Sequence, residues 1–193
     1  MGTLSNSWHH FCTITHHKVL VMRHCFRVGL YWQGIVHDLS KYSPTEFKVG
    51  AHYYQGDRSP NTAERAELGY STAWIHHKGR NKHHYEYWID MKGNRNAEFE
   101  GKPIPTRYVV EMFCDRVAAS KVYQGDAYSD DSALVYFGLE RSAQGELLFH
   151  PESMDLLETM LTWLAEEGEQ KAFERIRTEI VKARYRTPST KLF

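Results

Sequence analysis

Three kinds of signal are missing from this sequence, and each absence narrows the class of protein. No apolar run approaches the length of a membrane span, and residues 1–8 lack the basic and apolar regions of a signal peptide. Lysine plus arginine (24) balances aspartate plus glutamate (24), so no excess charge favours nucleic acid or an anionic membrane. We therefore expect a cytoplasmic protein with no membrane partner and no strong nucleic-acid signal.

Cysteine and strand signals are also scarce. The three cysteines, Cys12, Cys25 and Cys114, are odd in number and form no Cys-x-x-Cys pair, which argues against a disulfide framework and a zinc knuckle. We expect them to be reduced and mostly buried. No Asn-Gly or Asp-Gly turn lies between alternating apolar residues, so no hairpin is predicted. The 193 residues, 41% hydrophobic, suit one folded domain.

Helical periodicity accounts for most of what is present. Between residues 8 and 30, apolar residues recur at helical spacing, which predicts a helix. They are Val19, Met22, Phe26 and Leu30. Further helices are predicted over 106–123 and 171–185, with a frayed tail over 188–193. An amphipathic stripe near the C-terminus consists of Met154, Leu157, Met160, Leu161 and Leu164. We predict an all-α single domain over residues 1–193, in which the helices of 150–185 complete a bundle.

Capping motifs predict where two other helices begin. In Ser43-Pro44-Thr45-Glu46, the serine can cap, the proline suits the first helical position and the glutamate can close a capping box. Asn61-Thr62-Ala63-Glu64 repeats this pattern before a helical run over 66–77, which Gly79 can end. Residues 92–105 contain two glycines, two asparagines and two prolines, which predicts a loop.

Histidine is concentrated in one part of the chain. Eleven of the 12 histidines precede residue 85, and the doublet His37-Asp38 lies among them, upstream of Asp115 on a predicted helix. The paired histidines are His9-His10, His16-His17, His76-His77 and His83-His84. Neutral imidazole and carboxylate suit zinc, iron, manganese, nickel or cobalt. The pattern predicts a site for one or two divalent transition metal ions.

Helix geometry restricts how the doublet can serve such a site. Adjacent helical residues diverge by about 100°, so His37 and Asp38 need a helix end or a kink to face one metal, or else they serve two neighbouring metals. Lys41 lies one turn further on, where a cation can hold a phosphate oxygen.

The two downstream histidine pairs predict a turn. His76-His77 and His83-His84 are seven residues apart, which would place them on one face of an unbroken helix, but Gly79-Arg80-Asn81 argues against continuity. We expect the pairs to flank a turn that exposes Arg80 and Lys82. Imidazoles and cationic side chains would then lie together within nine residues. Such an arrangement suits the binding of an anionic substrate to a metal.

These residues resemble the HD superfamily of metal-dependent phosphohydrolases over about residues 14–124. The runs 29–47 and 74–88 are similar to a small, poorly characterised bacterial and phage family of HD-like helical proteins. The resemblance implies an all-helical fold on which a first histidine, a His-Asp doublet, intervening histidines and a last aspartate bind metal. The corresponding residues are His17, His37, Asp38, His77, His83, His84 and Asp115. Two histidines compete at the first, third and fourth positions, so each of these ligands has an alternative.

The resemblance implies hydrolysis of a phosphate ester, with a nucleotide or another small phosphorylated molecule as the substrate. The predicted catalytic residues are Lys41, Asp38 and Arg80. The glycine-tyrosine-proline signature of cyclic-dinucleotide phosphodiesterases is missing. Two alternatives stay open: a di-iron oxygenase-like redox site on the same fold, and a non-catalytic metal- or nucleotide-binding module. The aromatic residues Trp74, Tyr85, Tyr87 and Trp88 fit either a stacking wall for a nucleobase or packing.

Overall fold

Nine α-helices account for most of the residues that the computed structural model describes, 4–93, 98–144 and 148–183. In chain order they are α1 (Leu4–Val28), α2 (Tyr31–Val36), α3 (Pro44–His52), α4 (Pro60–Leu68), α5 (Thr72–Lys78), α6 (Thr106–Gln124), α7 (Ser132–Gln144), α8 (Pro151–Glu167) and α9 (Glu169–Arg175). Short 3₁₀ turns occupy Leu39–Tyr42, Tyr85–Trp88 and Gly125–Ala127, and a π-helix over Ile176–Val181 continues α9. The prediction of a mainly helical single domain is confirmed.

Helix α1 buries a face on which histidines alternate with apolar residues. Its buried residues are His10, Ile14, His17, Val21, His24, Cys25 and Val28. This face differs from the predicted one, since Phe26 is 38% exposed. The difference arises because an apolar count treats histidine as polar, whereas neutral imidazoles can be buried when they have partners.

The hydrophobic core lies around α6, which packs against α1, α7 and α8. The predicted stripe on α8 is confirmed, because four of its five residues are fully buried and Met154 packs partly buried against the core. Each fully buried aliphatic side chain stabilises the fold by about 1.5–3 kcal/mol. This packing fixes α6, and therefore the position of any ligand that α6 carries.

Close packing and a cap place α2 and α3 beside α1. A Cβ at Gly34 of α2 would lie 3.0 Å from the Cβ of Cys25 and 3.2 Å from the backbone of Met22, so the crossing favours glycine. The predicted start of α3 is confirmed, since the Ser43 hydroxyl accepts a hydrogen bond from the Glu46 amide at 3.4 Å. The Glu46 carboxylate contacts two histidines of α5 instead of closing a capping box.

The continuous helix predicted over 66–77 is wrong. Gly69 adopts a φ of 81° and ends α4, and α5 begins three residues later with Ser71 as its cap. The buried Glu64 carboxylate accepts hydrogen bonds from the Ser71 hydroxyl at 2.6 Å and the Thr72 amide at 3.0 Å. A glutamate of one helix therefore holds the first turn of the next, and this contact directs α5 toward α3.

The loop predicted over 92–105 is wrong in part, because it contains a strand. Strand β1 (Ile89–Met91) pairs antiparallel with β2 (Phe99–Gly101). A Cβ at Gly101 would lie 2.4 Å from the carbonyl oxygen of Leu148, so glycine allows the strand to touch that segment. The connecting residues 94–97 lie outside the described residues, and the sequence offered no hairpin signature there.

Other expectations have mixed outcomes. Cys25 and Cys114 are buried, Cys12 is exposed, and all three are free thiols. The helix predicted over 171–185 is helical as far as it is described, while residues 184–185 and the predicted tail over 188–193 lie outside the described residues. Every helix in the described ranges is too short or too polar to cross a membrane.

Buried His24 connects α1 to two later helices. Its Nδ1 lies 3.3 Å from the Cys114 carbonyl oxygen, its Nε2 lies 3.4 Å from Lys121 Nζ, and its ring centroid lies 5.1 Å from that of Phe173. A neutral imidazole satisfies both polar contacts, since Nδ1–H donates and Nε2 accepts. Burial lowers the pKa of His24 from 6.5 to about 4.

We predict that His24 makes the fold sensitive to acid. Its pKa is lower in the folded state, so its contribution to stability is complete above pH 6.5 and is lost as the pH falls toward 4. Between pH 7.0 and 4.5, the free energy of unfolding of metal-free wild-type protein, measured in urea, should fall by about 2 kcal/mol more than that of His24→Asn. Parallel losses in both proteins would contradict this role.

Candidate metal centre

The His37-Asp38 doublet lies at a sharp break that follows α2. His37 has an extended ψ of 128°, and Asp38 adopts a left-handed conformation with φ 53° and ψ 26°. Within the described residues Asp38 is the one non-glycine residue with positive φ. This conformation costs about 1–2 kcal/mol, although aspartate tolerates it better than most residues. The break removes the helical divergence of the two side chains, so both face the interior.

The first donor cluster contains His17, His37, Asp38 and Asp115. Asp115 Oδ1 lies 2.9 Å from His17 Nε2 and 3.4 Å from His37 Nε2. Asp38 Oδ2 lies 3.3 Å from His37 Nε2 and 3.8 Å from His17 Nε2. Helices α1 and α6 and the break after α2 thus bring together two imidazoles and two carboxylates that are up to 98 residues apart in sequence.

The second donor cluster contains Asp38, His77, His83 and His84. Asp38 Oδ1 lies 3.3 Å from both His77 Nε2 and His83 Nε2. The Nε2 atoms of His77 and His84 are 2.9 Å apart. Asp38 therefore belongs to both clusters and presents a different carboxylate oxygen to each.

The donor atoms are spaced as ligands of a metal ion would be. Two ligands at about 2.1 Å from one metal and at right angles to each other are about 3 Å apart. In each cluster the donor atoms lie within 4.8 Å of one another, with most of the separations above between 2.9 and 3.4 Å. Each cluster could therefore hold a metal ion.

Unsatisfied polar atoms support this assignment. Leaving a buried polar atom without a hydrogen bond costs about 1–3 kcal/mol, and native proteins contain few of them. Here such atoms concentrate where the two clusters meet. Among the described residues five of the eight such atoms lie there, namely His17 Nε2, His37 Nε2, His83 Nε2, Asp38 Oδ1 and Asp38 Oδ2, although Asp38 Oδ2 also contacts the Lys41 ammonium at 2.6 Å. A metal ion would provide a partner for these atoms once it had displaced any protons on the imidazole nitrogens.

Two glutamates contact the imidazole nitrogens that point away from the donor clusters, and they thereby orient the rings. Glu111 Oε1 lies 3.0 Å from His37 Nδ1 and 3.2 Å from His83 Nδ1, and Glu46 Oε2 lies 2.8 Å from His77 Nδ1. A carboxylate at Nδ1 accepts the ring proton there, which leaves the Nε2 lone pair directed at the cluster. This carboxylate–histidine arrangement is typical of metal sites.

Nearby positive groups keep both aspartates ionised. Burial raises the pKa of Asp38, but His37 and Lys41 outweigh it and hold the pKa well below its usual range. Burial also raises the pKa of Asp115, but its close contacts with His17 and His37 outweigh this effect and hold the pKa well below the usual range. Both groups are therefore anionic, as metal ligands must be.

Two histidines of the second donor cluster, His83 and His84, have pKa values that are shifted in opposite directions. Burial and the neighbours His83 and His77 hold the pKa of His84 well below its usual range, so its ring is neutral. Burial and His37 lower the pKa of His83, but its close contacts with Asp38 and Glu111 raise it to about 9. A metal ion would therefore have to displace a proton from His83.

Lys41 contacts the aspartate that the two clusters share. Its Nζ lies 2.6 Å from Asp38 Oδ2, and its side chain is 31% exposed. Burial lowers the pKa of Lys41, but Asp38 and Asp115 raise it above the usual range, so the side chain is a cation. Lys41 thus places a positive charge that is partly open to solvent next to the clusters.

The structure decides between members of the histidine pairs. His17 is buried in the first donor cluster, and its neighbour His16 is exposed. His77 belongs to the second donor cluster, whereas His76 contacts Glu46 at 2.6 Å. The pair His83-His84 contributes both of its members to the second donor cluster, and it lies in the predicted turn after α5.

Arg80 is not brought together with the other predicted site residues. Its side chain is exposed and donates a hydrogen bond to the His76 carbonyl at 3.3 Å. Within the described residues no side-chain contact joins Arg80 to either donor cluster, and only its backbone amide reaches His77, donating a hydrogen bond to the carbonyl oxygen at 3.0 Å. Its catalytic role stays a prediction.

Two of the aromatic residues considered for nucleobase stacking, Trp74 and Tyr85, contact other side chains of the protein. Trp74 stacks on His77 with centroids 5.7 Å apart and carries the Arg65 guanidinium 5.6 Å from its ring centroid. Tyr85 is buried and stacks on Phe149 at 5.0 Å. These contacts favour packing over nucleobase stacking for both residues.

Sequence reasoning missed Glu111 and assigned Glu46 mainly to a cap. Glu111 lies four residues before Asp115 on α6, so the two carboxylates share one helix face. That i, i+4 spacing was the available signal. Without tertiary contacts it resembles any pair of acidic residues on a solvated helix face.

The fold and the two donor clusters define a mainly helical, single-domain protein with a candidate metal centre. The model of a family of unknown function (DUF5662) matches residues 6–163. The chain belongs to this family, and the matched span includes every residue of both donor clusters. The chain matches none of the curated proteins and none of the solved structures.

We predict that the shared aspartate is required for metal retention. Asp38→Gly removes the carboxylate and keeps positive φ accessible, and His37→Ala removes an imidazole. Metal content in elemental analysis of both purified variants should fall to the buffer background. His16→Ala removes an exposed neighbouring imidazole and should retain wild-type metal content. Equal loss in all three would indicate nonspecific binding to histidine.

The orienting role of Glu111 predicts a graded effect. Glu111→Gln weakens the acceptor at His37 Nδ1 and His83 Nδ1 without removing a donor from either cluster. Metal affinity, measured by competition with a chromophoric chelator, should fall about 10–100-fold. The exposed Glu174 of α9 is the matched control, and Glu174→Gln should bind like the wild type. Unchanged affinity in Glu111→Gln would exclude the orienting role.

Proposed function

We propose that this protein is a cytoplasmic, metal-dependent phosphohydrolase of the HD type, acting on a nucleotide or another small phosphate ester. The observation that carries this proposal is the position of Asp38. Its two carboxylate oxygens face separate donor clusters, and its Oδ2 also contacts a lysine that is partly open to solvent. One carboxylate shared between two metal positions is suited to phosphoryl chemistry.

The order of the donors along the chain supports the HD assignment. A histidine of α1, the doublet after α2, the histidines at and beyond the end of α5, and the aspartate of α6 converge at one place. This order is the one that the resemblance to the HD superfamily implies. The description of the matched family does not bear on activity.

The mechanism divides between the metal and the side chains of the protein. A divalent metal held by the clusters would lower the pKa of a water and polarise a phosphoryl oxygen. Asp38 and Asp115 provide anionic ligands, and Glu111 and Glu46 fix the tautomers of the ligand imidazoles. Lys41 would hold the phosphate oxygens and offset the negative charge that develops during transfer.

Iron suits the same nitrogen and oxygen donors, so a di-iron redox site is the alternative function. The second donor cluster, with three imidazoles and one carboxylate, is compatible with either metal class. A third alternative, a module that binds metal without turnover, requires the same residues. Metal content and activity separate these three functions.

Elemental analysis followed by an activity panel tests the proposal. The panel contains aryl phosphate mono- and diesters and nucleoside mono-, di- and triphosphates, each with added Mn²⁺, Co²⁺ or Zn²⁺. A colourless protein that hydrolyses at least one of these esters, with no activity in Asp38→Gly, is the expected result. Bound iron with charge-transfer absorption and no ester hydrolysis would favour the redox function. Bound metal with neither property would favour the binding module.

We predict that Lys41 acts in turnover and not in metal binding. Lys41→Ala should keep its metal and its fold, because the donor atoms remain. On any hydrolysed phosphate ester, kcat should fall by roughly 10²–10³-fold, the usual loss for one preorganised donor. Lys48 of α3 is exposed, and Lys48→Ala should turn over normally. Near-normal turnover with full metal in Lys41→Ala would exclude Lys41 from the mechanism.

A further inference from the structure

Lys18 follows His17 on α1, and its side chain reaches the end of α2. Its Nζ donates hydrogen bonds to the carbonyl oxygens of Ile35 at 2.8 Å and His37 at 2.7 Å. The last carbonyls of a helix have no amide partners within that helix, and a lysine can satisfy them. Lys18 therefore provides, from another helix, the donor that caps α2.

One of these two carbonyls controls the backbone of Asp38. The His37 carbonyl belongs to the peptide unit between His37 and Asp38, and the orientation of that unit determines the φ of Asp38. Hydrogen bonds from an ammonium group are stronger than those between neutral groups. The contact at 2.7 Å therefore opposes rotation of this peptide toward the negative φ that aspartate usually adopts.

Two lysines thus act on different parts of Asp38. Lys41 contacts its carboxylate at 2.6 Å, where an incoming anion would compete for the ammonium. Lys18 contacts the preceding backbone and is half-buried. Because Lys18 adjoins His17, it also couples the α1 ligand to the doublet.

We propose that Lys18 is a positioning residue that holds Asp38 in its left-handed conformation, so that both carboxylate oxygens face their donor clusters. The proposal rests on the metal centre of the proposed function and does not depend on phosphohydrolase activity. A wild-type protein that binds metal but hydrolyses no phosphate ester would remove the proposed function and leave the role of Lys18 intact.

Metal affinity and ligand geometry test this role. In Lys18→Met the aliphatic stem remains and the ammonium is lost, while Lys18→Arg keeps a cation. The affinity for Zn²⁺, measured by chelator competition, should fall about 10–100-fold in Lys18→Met and recover in part in Lys18→Arg. The visible spectrum of bound Co²⁺ should change in Lys18→Met, because the Asp38 carboxylate would shift relative to both donor clusters. A general loss of stability would not produce this spectral change in the folded protein.

The control is Lys171→Met, which removes an exposed ammonium from α9 and should reproduce wild-type affinity and spectrum. Wild-type Zn²⁺ affinity and Co²⁺ spectrum in folded Lys18→Met would overturn the proposal. If Lys18→Met does not fold, Lys18→Gln replaces it, since its neutral and shorter side chain loses the ammonium that contacts both carbonyl oxygens. Wild-type behaviour in Lys18→Gln would likewise overturn the proposal, and weakened affinity with an altered spectrum would support it.

Discussion

The rest of the centre depends on one constraint, a buried carboxylate on a residue in the left-handed conformation. Asp38 is 2% exposed, and each of its oxygens lies among imidazole nitrogens. An isolated buried carboxylate would become protonated, but His37 and Lys41 keep Asp38 ionised. The positive φ that directs this side chain inward costs free energy, and the hydrogen bonds that Lys18 donates at the end of α2 offset part of that cost.

The surroundings of the clusters are organised in layers. Donor nitrogens and oxygens face inward, Glu111 and Glu46 contact the far side of the imidazoles, and the core around α6 fixes the helix that carries Asp115. Several of the inward atoms lack a well-aligned hydrogen bond, so the metal-free centre lowers the stability of the fold. Any ion that binds there would stabilise the fold by its binding free energy, which links the fold to the function.

Helix α1 combines structural and functional histidines on a single face. His10 packs against Phe47, His17 enters the first donor cluster, and His24 joins α6 and α9. Their seven-residue spacing keeps them on the side where Val21 and Val28 are buried. The sequence pattern indicated His17 as a candidate ligand but placed Phe26 on the buried face. Hydrophobicity alone does not reveal that imidazoles form part of this interior.

Local sequence by itself determined the helical class, the start of α3, the buried stripe of α8 and the order of the donor residues, because periodicity and capping act over a few neighbouring residues. The close contacts among Asp38, Asp115 and the histidines arise from packing between distant helices. That packing selects His17 over His16, recruits Glu111, and keeps the Arg80 side chain apart from the clusters. Only the tertiary structure could decide these points, since a side chain becomes a ligand through distances to residues far away in the sequence.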